Sequence, residues 1–174
     1  MLQPMADWFW FSENGQLMLS MGKEWQCTTA YNEQHIVNLP ADRQLFSLRD
    51  TEIYLSIGNC LLNSDADFSE AQLTHILINA TAALIFHRPI SPKSWLFDEV
   101  EYFGVNHKLA KINTAFGTGV VLVLCDQLQL ATCMLISNEI PITNKKCLKQ
   151  FELVKVALNR LEPLLIASGS QLTA

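Results

Sequence analysis

The sequence has little charge, and basic charge least of all. Only 17% of its 174 residues are charged, with 12 Lys and Arg against 17 Asp and Glu. Most nucleic-acid affinity comes from neutralising phosphates along a basic stripe, so a chain without one is set outside that class. A long apolar run is also missing. The least charged stretch, Ala71 to His87, falls short of the ~20 apolar residues of a spanning helix. Gln72, Thr74, His75, Asn79 and Thr81 interrupt it as well. Met1 to Asp7 holds neither the basic residue nor the apolar run of an export signal. The expectation is a cytoplasmic protein with no membrane insertion.

The five cysteines, Cys27, Cys60, Cys125, Cys133 and Cys147, are an odd set with no Cys-x-x-Cys spacing. That argues against a disulfide framework and a structural zinc site, and they read as reduced, mostly buried small hydrophobes. None of the four histidines, His35, His75, His87 and His107, stands four residues from another, as two metal ligands on one helix face would. No glycine-rich phosphate loop is present, since Gly117-Thr-Gly119 lacks the third glycine and the lysine. Cys27 and His35 have no spacing that makes them a nucleophile and base. No catalytic residue, metal or cofactor is expected, and the chain reads as a binding protein, not an enzyme.

What is abundant is apolar surface, 49% of the residues. Trp8-Phe-Trp-Phe11 and Leu17-Met-Leu-Ser-Met21 flank Asn14-Gly15, which supplies the positive φ angles of a hairpin turn. Trp8 and Trp10 then share one strand face and Phe9 and Phe11 the other. With Leu19 and Trp25, the two tryptophans are candidates for a hydrophobic core or pocket; Trp is also frequent in interface hot spots. Ile53-Tyr-Leu-Ser-Ile57 alternates and ends at Gly58-Asn59, which reads as a strand. Ser69-Glu-Ala-Gln72 has the form of a capping box, predicting a core helix to about His87, where Pro89 stops it.

Arg88-Pro-Ile-Ser-Pro-Lys-Ser94 is the most linker-like stretch, and the charge balance changes there. Up to Pro92 four basic residues face ten acidic ones; from Lys93 onward eight face seven. Beyond it Trp95 to Phe103 reads as extended. Val120 to Cys125 and Leu128 to Ser137 read as paired strands turned at Asp126-Gln127, and a last helix is predicted from about Asn144 to Leu161. The expected class is α+β in two small domains. Residues 1–92 form an N-terminal mixed α/β domain, and residues 93–174 a mainly β C-terminal domain with helix about 144–161. The small, polar end, Ala167 to Ala174, is expected to fray.

Two groups of cations stand out. Arg88 and Lys93 flank the Pro-rich junction, where they can receive a partner's carboxylates or merely solvate a loop. Lys145, Lys146 and Lys149 crowd the start of the expected last helix, where the helix dipole disfavours cations slightly, or form only a soluble face.

Laid out this way, the chain resembles the ZapC family of bacterial cell-division proteins. The resemblance is carried by Asp7-Trp-Phe-Trp-Phe11 with Leu17-Met-Leu19, Ile53-Tyr-Leu-Ser-Ile57, Phe68-Ser-Glu-Ala-Gln72 and Arg88-Pro-Ile-Ser-Pro-Lys-Ser-Trp95. It covers about the first hundred residues; the last seventy match in length and in the order of strands and helix. The resemblance implies a protein without a cofactor that binds the tubulin-like FtsZ at mid-cell. It also implies lateral bundling of FtsZ filaments, a stabilised division ring and lowered GTP hydrolysis. By the same resemblance Arg88, Lys93 and Trp95 are partner-binding positions. Bundling needs two binding surfaces, which a monomer can carry on its two domains or a weak dimer can present twice. The competing class is a small-molecule-binding sensor or adaptor domain, in which aromatic walls hold an apolar ligand.

Overall fold

In the computed structural model, which describes residues 1–23, 25–64 and 66–164, Asn14 and Gly15 take left-handed φ angles of 50° and 75°. They close the expected hairpin between β1 (Trp8–Glu13) and β2 (Gln16–Met21), with Trp10 opposite Leu19. β3 (Gln26–Asn32) and the short β4 (Gln44–Leu45) complete an antiparallel sheet in the order β3-β2-β1-β4. Trp8, Trp10, Leu17 and Leu19 point inward and are fully buried.

Two helices cover that face. α2 (Glu70–Phe86) starts at the capping box expected from the sequence: the Ser69 hydroxyl accepts from Gln72 N, and Ser69 N donates to Gln72 Oε1. α1 (Leu48–Leu62) corrects the sequence reading, because Ile53 to Ile57 is helical and not a strand. Five alternating residues fit either period. The deciding signal lies upstream, where Ser47 caps the helix by accepting from Asp50 N. Gly58, read as a strand end, lies inside α1, where the end of the Met1 side chain occupies the space a Cβ would take.

The C-terminal half is built from β5 (Leu109–Thr114), β6 (Gly117–Gln127), β7 (Leu130–Leu135), β10 (Leu153–Ala157) and β11 (Leu161–Pro163). They form an antiparallel sheet in the order β10-β7-β6-β5-β11, and β8 (Ile140–Thr143) and β9 (Lys146–Leu148) make a separate ribbon. The β6–β7 turn falls at Leu128 and Gln129, with φ of 50° and 68°, two residues later than expected. Trp95 to Phe103 is a short 3-10 turn at Ser94–Leu96 followed by irregular chain, not a strand.

The expected terminal helix is absent from residues 144–161. The chain there is turn, β9, β10, a 3-10 turn and the start of β11. Val154 and Val156 share one face around Lys155 and pair with Cys133 and Ala131 of β7. β-branched residues at period two favour that pairing over a helix, and Phe151, with φ 65°, breaks the chain between β9 and β10. The expected frayed end, Ala167 to Ala174, lies outside the described residues.

The five-stranded sheet is apolar on both faces. Leu109, Leu122, Leu124, Met134 and Ile136 join the core of the N-terminal half. Ala110, Ile112, Val121, Val123, Cys133 and Leu135 face a second core closed by Phe97, Ile140, Ile142 and Leu148. The fold is α+β, with the helices in the N-terminal half and a mainly β C-terminal half.

One buried polar contact pins α1 to the sheet. The Trp10 indole Nε1 donates to Asp50 Oδ2 at 2.9 Å, and the Ser47 hydroxyl donates to the other carboxylate oxygen. Asp50 is only 3% exposed. Asp50→Ala leaves the indole N–H without a partner in the core, so a loss of about 2–3 kcal/mol is expected in urea unfolding. Asp50→Asn keeps an acceptor and should lose clearly less.

Candidate functional site

Three concave regions flank α2: one of about 300 Å³ between its first turns and Ile136, Gln150 and Phe151, and two that hold residues marked by the sequence. The larger is a cleft of about 800 Å³ at the open end of the first sheet. Its walls are Leu2, Met5, Trp8, Met21, Trp25 and Cys27, and Ala71, Thr74 and His75 of α2 also line it. Of the residues the sequence marked as core or pocket, Trp8, Trp10 and Leu19 are wholly buried, and Trp8 also backs the cleft. Trp25 is different. It stands 70% exposed on the cleft wall, held by its carbonyl accepting from Met21 N.

The second region is the junction, a groove of about 250 Å³ between the end of α2 and strands β6, β7 and β10. Arg88 sits on its edge. Its guanidinium Nε donates to Ile36 O at 2.7 Å and its Nη2 to Glu33 O at 3.1 Å, so two of its five donors tie the junction to the loop after β3. Lys93 is held by its backbone, which donates to Lys155 O at 2.8 Å, while its side chain is exposed. Trp95, two residues on, is 75% exposed. Arg88, Lys93 and Trp95 thus lie along one exposed strand of junction chain.

Lys145, Lys146 and Lys149 do not join them. They lie on and beside the β8–β9 ribbon, which packs on the face of the five-stranded sheet opposite α2. The helix-dipole argument for these lysines falls with the helix. Lys149 N donates to Glu152 Oε2 at 3.1 Å in the turn before β10.

Sequence reasoning missed the residue that bridges the halves. Tyr31, buried on β3, donates its hydroxyl to Phe151 O at 2.9 Å, across 120 residues of chain. Burial drives its phenol pKa well above the ordinary value. Buried Cys27, Thr29 and Tyr31 alternate with exposed Gln26, Thr28 and Ala30, but a polar Thr29 inside and an apolar Ala30 outside hide that period in the residue types. Around Tyr31 stand His35 and His87, with ring centroids 6.3 and 5.2 Å from the phenol. Among the described residues no three His, Cys, Asp or Glu side chains gather as a metal would require. No described helix is long and apolar enough to cross a membrane.

Comparison with known proteins adds a family match over nearly the whole chain. Residues 1–88 match the model for cell-division protein ZapC, N-terminal, and residues 89–167 that for cell-division protein ZapC, C-terminal. The chain is similar to cell division protein ZapC of Pseudoalteromonas atlantica, 42% identical over 170 residues, 95% of this chain and 96% of that protein. The protein of the same name from Shewanella oneidensis is 33% identical over 168 residues, 94% of each chain. That from Shewanella woodyi is 31% identical over 171 residues, covering 96% of this chain and 94% of its own.

The geometry at Arg88 makes its shape matter apart from its charge. Arg88→Lys keeps the cation but cannot span both carbonyls. A stability loss of about 1 kcal/mol is expected by chemical denaturation, with unchanged net charge.

Proposed function

The chain belongs to the ZapC family of cell-division proteins, and on that footing we propose that it binds FtsZ directly and bundles its filaments. Its role is in cell division. On this reading it holds neighbouring filaments together at mid-cell, stabilises the division ring and lowers FtsZ GTPase activity, acting by binding and not by catalysis. The single observation that supports it most is the family match, which runs through both halves of the chain.

The geometry supports a division of labour between the cations. Arg88 and Lys93, with Trp95 beside them, form the first FtsZ-binding surface. Carboxylates of the partner meet a guanidinium already held in place, with donors to spare. Lys145, Lys146 and Lys149 form a second surface on the far side of the five-stranded sheet. Two surfaces facing different ways let one monomer bridge two filaments, which is what bundling requires. The hydrophobic cleft supports a second reading, a sensor or adaptor for an apolar small molecule. Its volume of about 800 Å³ is in the range of ligand sites. Native mass spectrometry of the purified protein separates the two, since a stoichiometric bound molecule favours the sensor.

The test is sedimentation of FtsZ polymerised with GTP. The chain is expected to co-pellet and to raise pelleted FtsZ, less so as salt screens the charged contacts. Arg88→Glu with Lys93→Glu should abolish co-pelleting in a protein that remains folded by circular dichroism. Reversing Lys145, Lys146 and Lys149 together should leave binding but lose bundling by light scattering. A junction double reversal that co-pellets normally removes Arg88 and Lys93 from the site.

A further inference from the structure

Between the 3-10 turn at Ser94–Leu96 and β5 the chain leaves apolar side chains in water while its backbone is firmly held. Val100 N donates to Asn159 O at 3.0 Å and Gly104 N to Leu161 O at 2.9 Å, so the segment is pinned beside β11. Asn106 N, bonded to Leu109 O at 2.9 Å, pins its far end. Between the first two pins Glu101 and Tyr102 form a bend. Tyr102 is 84% exposed and Phe103 55%, with Val105 exposed beyond them. Apolar rings fixed in water and rimmed by polar residues mark an interaction surface.

The charges around the bend select what covers it. Asp98, Glu99 and Glu101 are exposed on the same run of chain. Glu99 is paired with Arg160 Nη2 at 2.7 Å, and Arg160 Nη1 donates to Phe97 O at 2.9 Å. Among the described residues Asp98 and Glu101 make no ion pair. Phosphates of an anionic lipid surface or a nucleic acid are repelled by such a segment. Arginine is attracted to it twice, by the carboxylates and by the faces of the rings. We propose that the bend at Glu101 to Phe103, with Asp98 and Val105 beside it, docks an arginine-rich, leucine-bearing segment of another polypeptide. Tyr102 stacks a guanidinium, Asp98 and Glu101 accept its N–H donors, and Phe103 and Val105 meet the leucines. The surface has the opposite charge to the cations assigned to FtsZ, so it serves a different partner and stands without that reading.

NMR of the isotope-labelled full chain tests this, with a short peptide of alternating arginine and leucine as the probe and the same peptide with glutamate for arginine as its control. Amide signals from Asp98 to Val105 should shift with the arginine peptide and not with the glutamate peptide. Binding should weaken severalfold between about 50 mM and about 300 mM salt. Asp98→Asn with Glu101→Gln should weaken it about tenfold, and Tyr102→Ala with Phe103→Ala severalfold. Asp42→Asn with Glu52→Gln removes the same charge from exposed positions elsewhere and should leave binding within about twofold of wild type. The substituted side chains are all exposed, so each variant is expected to fold, which circular dichroism checks. Equal weakening by the two charge-removing variants, shifts that fall outside Asp98 to Val105, or no shifts at all overturns the proposal. So do peptide-free shifts at the bend and at Lys145, Lys146 and Lys149 that grow with protein concentration, because they place a second copy of the chain on the bend.

Discussion

α2 has no side that faces water along most of its length, and the rest of the molecule is arranged to make that possible. From Leu73 to Phe86 it is buried on nearly every turn, with apolar residues all round. An all-round apolar helix must be enclosed. Here the four-stranded sheet and α1 enclose it from one side, and one face of the five-stranded sheet from the other. Its polar residues are placed accordingly. Asn79 donates to His75 O and accepts from Ala30 N at 2.8 Å, which ties the helix to the outer edge of β3. Thr74 turns its hydroxyl back to Glu70 O. Thr81 is fully buried with no hydrogen-bond partner among the described residues, a cost of about 1–3 kcal/mol that the surrounding apolar burial has to offset.

That enclosure explains the two apolar faces of the C-terminal sheet. One face completes the burial of α2, so the ribbon of β8 and β9 and the segment around Phe97 are needed to cover the other. It also holds in place the junction, which is the binding surface of the proposed function. The chain from Arg88 to Trp95 crosses between two halves that share one core and are tied by the Tyr31 hydroxyl. The Arg88 guanidinium on this segment is held by two carbonyls and has little freedom left to lose on binding. The ribbon lysines are carried on the other side by the same sheet, so the two groups of cations lie apart on the molecule.

The parts legible in the sequence were those whose signal is local. Asn14-Gly15 and Ser69-Glu-Ala-Gln72 each specify a backbone geometry within four residues, and both stand as read. The apolar run of β6 was legible because a strand covered on both faces has no alternation to hide. The misreadings share a cause. Ile53 to Ile57 and Val154 to Ala157 are short enough to satisfy two periods; the Ser47 cap upstream decided the first, and pairing of β10 with β7 the second. At the proposed site, Arg88 and Lys93 stood out because each adjoins a proline of the junction, and Trp95 through the family resemblance. Tyr31, His35 and His87 did not, because Tyr31 meets Phe151 only after the chain has folded back across 120 residues.

A core that runs through both halves makes the chain unfold as one unit, and urea denaturation followed by two probes tests this. Fluorescence of buried Trp8 and Trp10 reports the N-terminal half, and NMR signals of Val121 and Val123 report the C-terminal sheet. Coincident transitions with one midpoint are expected. Two separate transitions, with one half persisting after the other has melted, would contradict the shared core on which the fixed junction depends.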